Sequence, residues 1–127
     1  MSRNKLESAT EEELVEYFVA IAVVQDKAMR QGENAKYNRL YREMDAVEWE
    51  LKRRTGDQRR ALIPLYTHPN AQVRLKAAIA TLALAPDAAR QALQIISDRQ
   101  EYPQAADARG MIRVSFPVRQ PPRSTAR

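Results

Sequence analysis

The side chains in this sequence that could do chemistry are few and scattered. His68 is the single histidine, placed in a corner with Thr67, Pro69 and Asn70, where an imidazole could act as a general base or a metal ligand. Either role needs partners, a nucleophile with an orienting carboxylate or several further ligands, and none is spaced around it. The chain has no cysteine, which removes thiolate metal sites, Cys nucleophiles and disulfides together. His68 therefore reads as a turn residue. Glu11, Glu12, Glu13 and Glu16 offer hard oxygen donors, but they fall at a helix start, where negative charge favours the helix dipole. Asp45, Glu48 and Glu50 surround the only tryptophan, Trp49. An exposed indole flanked by acids could anchor a protein partner, because aromatic side chains concentrate binding energy at interfaces; the competing reading packs Trp49 against the terminal helix. Lys52, Arg53 and Arg54, with Arg59 and Arg60 just beyond, form the densest basic cluster and could contact phosphates, although basic residues also favour a helix C-terminus for its own sake. No catalytic, cofactor-binding or metal-binding set emerges, and a non-enzymatic role is expected.

The elements that must position these groups are helices. Thr10 and Glu13 form a capping box, after which Leu14, Phe18, Ile21, Gln25 and Ala28 share one face until Gly32 stops the helix. Asn34 is expected to cap a second helix, with Tyr37, Leu40, Tyr41, Met44, Val47 and Leu51 on its buried stripe, Trp49 off it, and Gly56 beyond its basic last turn. A connection of about three residues makes the pair an antiparallel hairpin. Asp57 caps a short helix through Ala61, Leu62, Leu65 and Tyr66, with Pro64 inside it. Asn70 caps the next, where Val73, Ala77, Ala80 and Leu84 form one face while Leu75, Ile79 and Leu82 make the other side apolar, so it belongs in the middle of the domain. Pro86 and Asp87 open another helix with Ala88, Ala92, Leu93 and Ile96 facing inward. A last one runs from about Gln104 to Val114 through Ala105, Ala108, Met111 and Ile112.

This pattern predicts one all-α domain over residues 10–115, a flexible N-terminus over 1–9 and a disordered basic Pro/Arg tail over 116–127. The net charge of +5 is uneven: residues 1–56 hold 10 Lys+Arg against 11 Asp+Glu, and residues 57–127 hold 11 against 5. Arg119, Arg123 and Arg127 in the tail supply most of the excess. No apolar run approaches the ~20 residues of a membrane span, and the N-terminus lacks a signal-peptide core, so a cytoplasmic protein without membrane contact is expected. The stripe of the second helix suits either an internal core or a homodimer.

The segment LIPLYTHPNAQVRLKAAIATL resembles a HEAT-like repeat, on Pro69, Asn70, Val73, Arg74, Ala77, Ala78 and Leu82. The resemblance implies that Asn70 and Arg74 support the turn between helices. Over residues 10–115 the chain also resembles a family of small bacterial proteins known as domain of unknown function number twenty-nineteen, on EEELVEYFVAIA, KYNRLYREMDAVEWELK, HPNAQVRLKAAIATLALAPDAARQAL and ADARGMI. That implies a helical hairpin packed on HEAT-like short helices, with no activity assigned and no site residues to carry over. Some small HEAT-like bacterial proteins neutralise toxins. The expected function is thus protein binding, as an adaptor or toxin-neutralising immunity protein, through Asp45, Glu48, Trp49 and Glu50, with an acidic face suited to a basic target. The alternative is a nucleic-acid-binding module using Lys52, Arg53, Arg54, Arg59 and Arg60.

Overall fold

A computed structural model of the protein describes residues 2–117, and these are all-helical, with no strand among them. The order is α1 (Arg3–Ser8), α2 (Glu11–Arg30), α3 (Asn34–Arg53), a 3-10 helix (Gln58–Thr67), α4 (Ala71–Ala80), α5 (Pro86–Asp98) and α6 (Gln104–Ser115).

The helix ends follow the local chemistry. At α2 the Thr10 hydroxyl accepts from the Glu13 amide at 3.0 Å and the Glu13 carboxylate accepts from the Thr10 amide at 2.9 Å, the reciprocal pair read from the sequence. Its other end closes in a Schellman motif, Glu33 N–H to Ala28 C=O and Gly32 N–H to Met29 C=O, which requires the positive φ of +69° that Gly32 adopts. That turn sends α3 back along α2 as an antiparallel hairpin. Asn34 is the first residue of α3 and not its cap; Glu33 takes that position without a side-chain bond, because the Schellman turn already fixes the entry. Asn70 caps α4 as expected, accepting from Gln72 and Val73 amides at 2.8 and 3.3 Å.

Helix α4 is the shared wall of the domain. Val73, Ala77 and Ala80 join Leu14, Phe18, Met44 and Val47 from the hairpin, while Leu75 and Ala78 join Leu93, Ile96, Ala105 and Ala108 from α5 and α6. Its alanines let helices approach from both sides, and only Ala71, Lys76 and Ile79 along it keep partial exposure. It ends at Ala80, earlier than the apolar pattern suggested. Thr81 turns its hydroxyl onto the Ala77 carbonyl at 2.8 Å and its amide onto Ala77 and Ala78, tightening the last turn so that Leu82 and Leu84 follow in the connection. In α5 Ala92, Leu93 and Ile96 face inward as expected, and Ala89 joins them while Ala88 is exposed: Ala89 precedes them by three, four and seven residues and so shares their face.

Two polar devices tie the elements. A buried amide chain crosses three helices: Gln72 Nε2 donates to Gln25 Oε1 at 3.0 Å, and Gln104 Nε2 donates to Gln72 Oε1 at 3.0 Å and Asp26 Oδ1 at 3.1 Å. Arg74 donates to the His68 carbonyl at 2.6 Å and forks onto both Glu101 oxygens at 2.7 Å, so it braces the corner before α4 against the segment before α6. The supporting role implied for Asn70 and Arg74 is the one they perform.

Candidate protein-binding surface

Residues 1–9, expected to be flexible, instead contain the six-residue helix α1, capped by Ser2 and burying Leu6. Such a short helix is marginal alone, and its anchor comes from α3. Arg54 donates to the carbonyls of Leu6 at 3.0 Å, Glu7 at 3.4 Å and Ala9 at 2.8 Å. These carbonyls lie at the C-terminal end of α1, where Leu6 C=O also accepts from the Ala9 amide at 3.3 Å, and a cation there suits the helix dipole. The same guanidinium donates from Nε to Glu50 Oε2 at 2.7 Å, and Arg53 Nε donates to Glu50 Oε1 at 2.9 Å.

Glu50 is therefore an internal counter-ion. Only 3% of it is exposed; burial works to raise its carboxyl pKa, but the hydrogen bonds and charges of Arg54 and Arg53 outweigh burial and hold it below the usual range. It does not belong to an acidic docking patch. Glu48, two residues earlier, is partly buried and turns the other way. Its carboxyl is pushed up to about 7 by burial first and by Asp45 next, against the pull of Lys76 and Arg59. Asp45 is exposed. Of the three carboxylates expected to form an acidic face around Trp49 it is the only exposed one, and it is hydrogen-bonded with Glu48.

Trp49 itself is 58% exposed. It lies off the buried stripe, as its spacing indicated, and meets α1, not the terminal helix. With Ala46, Glu50 and the α1 residues Arg3, Leu6 and Glu7 it lines a groove of about 280 Å³. The Arg53 guanidinium sits 5.7 Å from the centroid of its ring, close enough for a cation–π contact. Because Arg53 is also held by Glu50, the indole is propped from behind. Sequence reasoning missed the α1 half of this groove, because nothing local in residues 3–8 announces a contact with Arg54.

The basic cluster is divided among separate tasks. Arg54 and Arg53 are tied to Glu50, and Arg59 is paired with Asp57, donating at 2.8 Å and 2.6 Å. Lys52 and Arg60 are exposed. Tyr41, expected in the core, is 48% exposed; with the partly buried Tyr37 it flanks the Lys76 ammonium, 5.1 and 6.0 Å from the two ring centroids, so α4 offers this stripe a cation and not an apolar partner. His68 Nδ1 accepts from the Asn70 amide at 3.0 Å, the turn role read for it. Glu11, Glu12 and Glu16 are exposed along the start of α2. Among the described residues no group of three His, Asp or Glu side chains could hold a metal ion, and no helix is long and apolar enough to cross a membrane. Of the expected tail, Phe116 and Pro117 are described, and residues 118–127 lie outside the described residues.

The family model described as Domain of unknown function (DUF2019) matches residues 12–115. The chain is similar to the protein RPA1889 from Rhodopseudomonas palustris CGA009, whose crystal structure superposes with a TM-score of 0.85 at 40% identity, over 91% of this chain and 97% of that one. No curated protein matches it.

Proposed function

Given that the chain belongs to the DUF2019 family, whose description assigns no activity, we propose from its own surface that it is a non-enzymatic protein-binding domain. An adaptor or toxin-neutralising partner in the bacterial cytoplasm is the role this reading implies. The observation that carries it is the exposed Trp49 at the α1–α3 groove. Large aromatics next to a concavity are the side chains from which interfaces draw most of their energy, and Arg53, itself bonded to Glu50, contacts this one through its ring. The helix pair formed by the 3-10 segment and α4, with its corner braced by Arg74, supports a rigid HEAT-like scaffold behind that surface. Asp45 and Glu7 would supply rim charges that steer encounter more than they add affinity. The nucleic-acid reading is the weaker one, since Arg54 and Arg59 spend their guanidinium groups on internal partners.

The test is affinity capture of the tagged protein from its cell lysate after nuclease treatment, alongside Trp49→Ala. A protein recovered in stoichiometric amount by the wild type and lost with Trp49→Ala supports the reading. An identical set from both, or recovery abolished by nuclease, contradicts it.

A further inference from the structure

A second groove, of about 500 Å³, opens between α5 and α6, where Arg90, Ser97, Arg109, Ile112, Arg113 and Phe116 line it. No carboxylate is among its walls. Two of its three guanidinium groups are held in place by neutral partners. Arg109 donates to Ser97 Oγ at 2.9 Å and to the Ser97 carbonyl at 3.2 Å, and its third bond goes to the Tyr102 hydroxyl. The Arg90 guanidinium lies 5.2 Å from the Phe116 ring centroid. None of the three forms an ion pair among the described residues.

This groove contrasts with the basic cluster near residue 54, where each committed arginine meets a carboxylate. Cations fixed by neutral groups keep their charge available, and a guanidinium binds a carboxylate through two parallel hydrogen bonds. The groove also has an apolar side in Ile112 and Phe116, both partly buried. We propose that it receives an acidic segment of another protein, whose carboxylates pair with Arg90 and Arg113 while an apolar side chain of the segment packs on Ile112 and Phe116.

Charge argues against the other occupants. Residues 118–127, which continue from Pro117, hold Arg119, Arg123 and Arg127 and no acid, so like charge disfavours them. A nucleic-acid strand presents evenly spaced phosphates that call for a track of cations, whereas these three gather in one concavity around an apolar surface. The proposal rests on the protein-binding reading but uses a different face from Trp49, so the two can fail separately.

The full chain is titrated into a fluorescein-labelled peptide of alternating glutamate and leucine, with a glutamine-leucine peptide and an oligo-dT of equal charge as comparisons. The expected result is binding of the glutamate peptide alone, weakened by added salt and by about tenfold or more in Arg90→Glu and in Arg113→Glu, an effect of about 1.4 kcal/mol or more. Trp49→Ala leaves it unchanged. Arg90 and Arg113 are exposed, and circular dichroism verifies folding; Arg90→Gln and Arg113→Gln replace any charge reversal that fails to fold. Failure of the peptide to bind, binding indifferent to both substitutions, or equal or tighter binding of oligo-dT overturns the proposal. So does a self-association abolished by the same substitutions, which would make the exposed Glu11–Glu12 turn of a second copy the occupant.

Discussion

Glu48 and Glu50 stand two positions apart on α3 yet reach opposite electrostatic states, and their surroundings explain why. Glu50 finds Arg53 and Arg54 one turn ahead, a spacing of three and four that the sequence displays openly. Glu48 loses water beside Asp45 and recovers only part of that cost from Lys76 and Arg59, which arrive from α4 and the 3-10 helix, so its state was not legible from α3 alone. The consequence for stability has a definite sign. A carboxyl whose pKa rises from 4.5 to about 7 on folding holds its proton longer in the folded state. Glu48 is neutral in both states well below pH 4.5 and stability falls as pH rises from there toward 7, levelling off above it. Replacing it by Gln removes that loss. Urea unfolding should find Glu48→Gln equal to wild type at pH 4 and more stable by roughly 2 kcal/mol at pH 8, partial solvent access moderating the full linkage value. Equal stability at both pH values would show that Glu48 ionises normally.

At the scale of elements, what was legible is what the chain decides locally. The Thr10–Glu13 box, the Gly32 stop, the Asn70 cap and Pro86 at the start of α5 all act within one helical turn, and each sits where the sequence put it. Helix α1 escaped notice because its stability comes from 45 to 48 residues away, through Arg54. Arg54→Ala should therefore do two things. It should lower global stability by about 3 kcal/mol, the low end for breaking a buried pair because Arg53 still meets Glu50. It should also raise amide exchange over residues 3–9 well ahead of that in α2; unchanged exchange there would mean that Leu6 packing alone holds α1. The amide chain was half visible, since Gln25 sat on an apolar stripe without a stated partner. Gln25→Leu leaves the Gln72 amide group without its acceptor and should cost about 2 kcal/mol. The double variant Gln25→Leu with Gln72→Leu should cost less than the sum of the two single changes, because both ends of one bond are removed. Strict additivity would show that the pair is not coupled.

Across the whole molecule, the helical periodicities sufficed for the all-α architecture and for α4 as its centre, because a helix apolar on most sides has nowhere else to go. They could not arrange the surface. Exposure of Trp49 and Tyr41 depends on which helices arrive opposite them, and the sequence gives no address for α1 or Lys76. The result is a domain with two core clusters joined at α4, an indole propped at one groove and uncompensated arginines at another. We propose that the Trp49 surface is where another protein binds. Since Trp49 is the only tryptophan, iodide quenching of its fluorescence, before and after the captured partner is added, reports on that surface directly, provided the partner's own tryptophans are replaced by phenylalanine. The indole should be open to iodide in the free protein and shielded in the complex. Equal quenching in both would contradict that proposal.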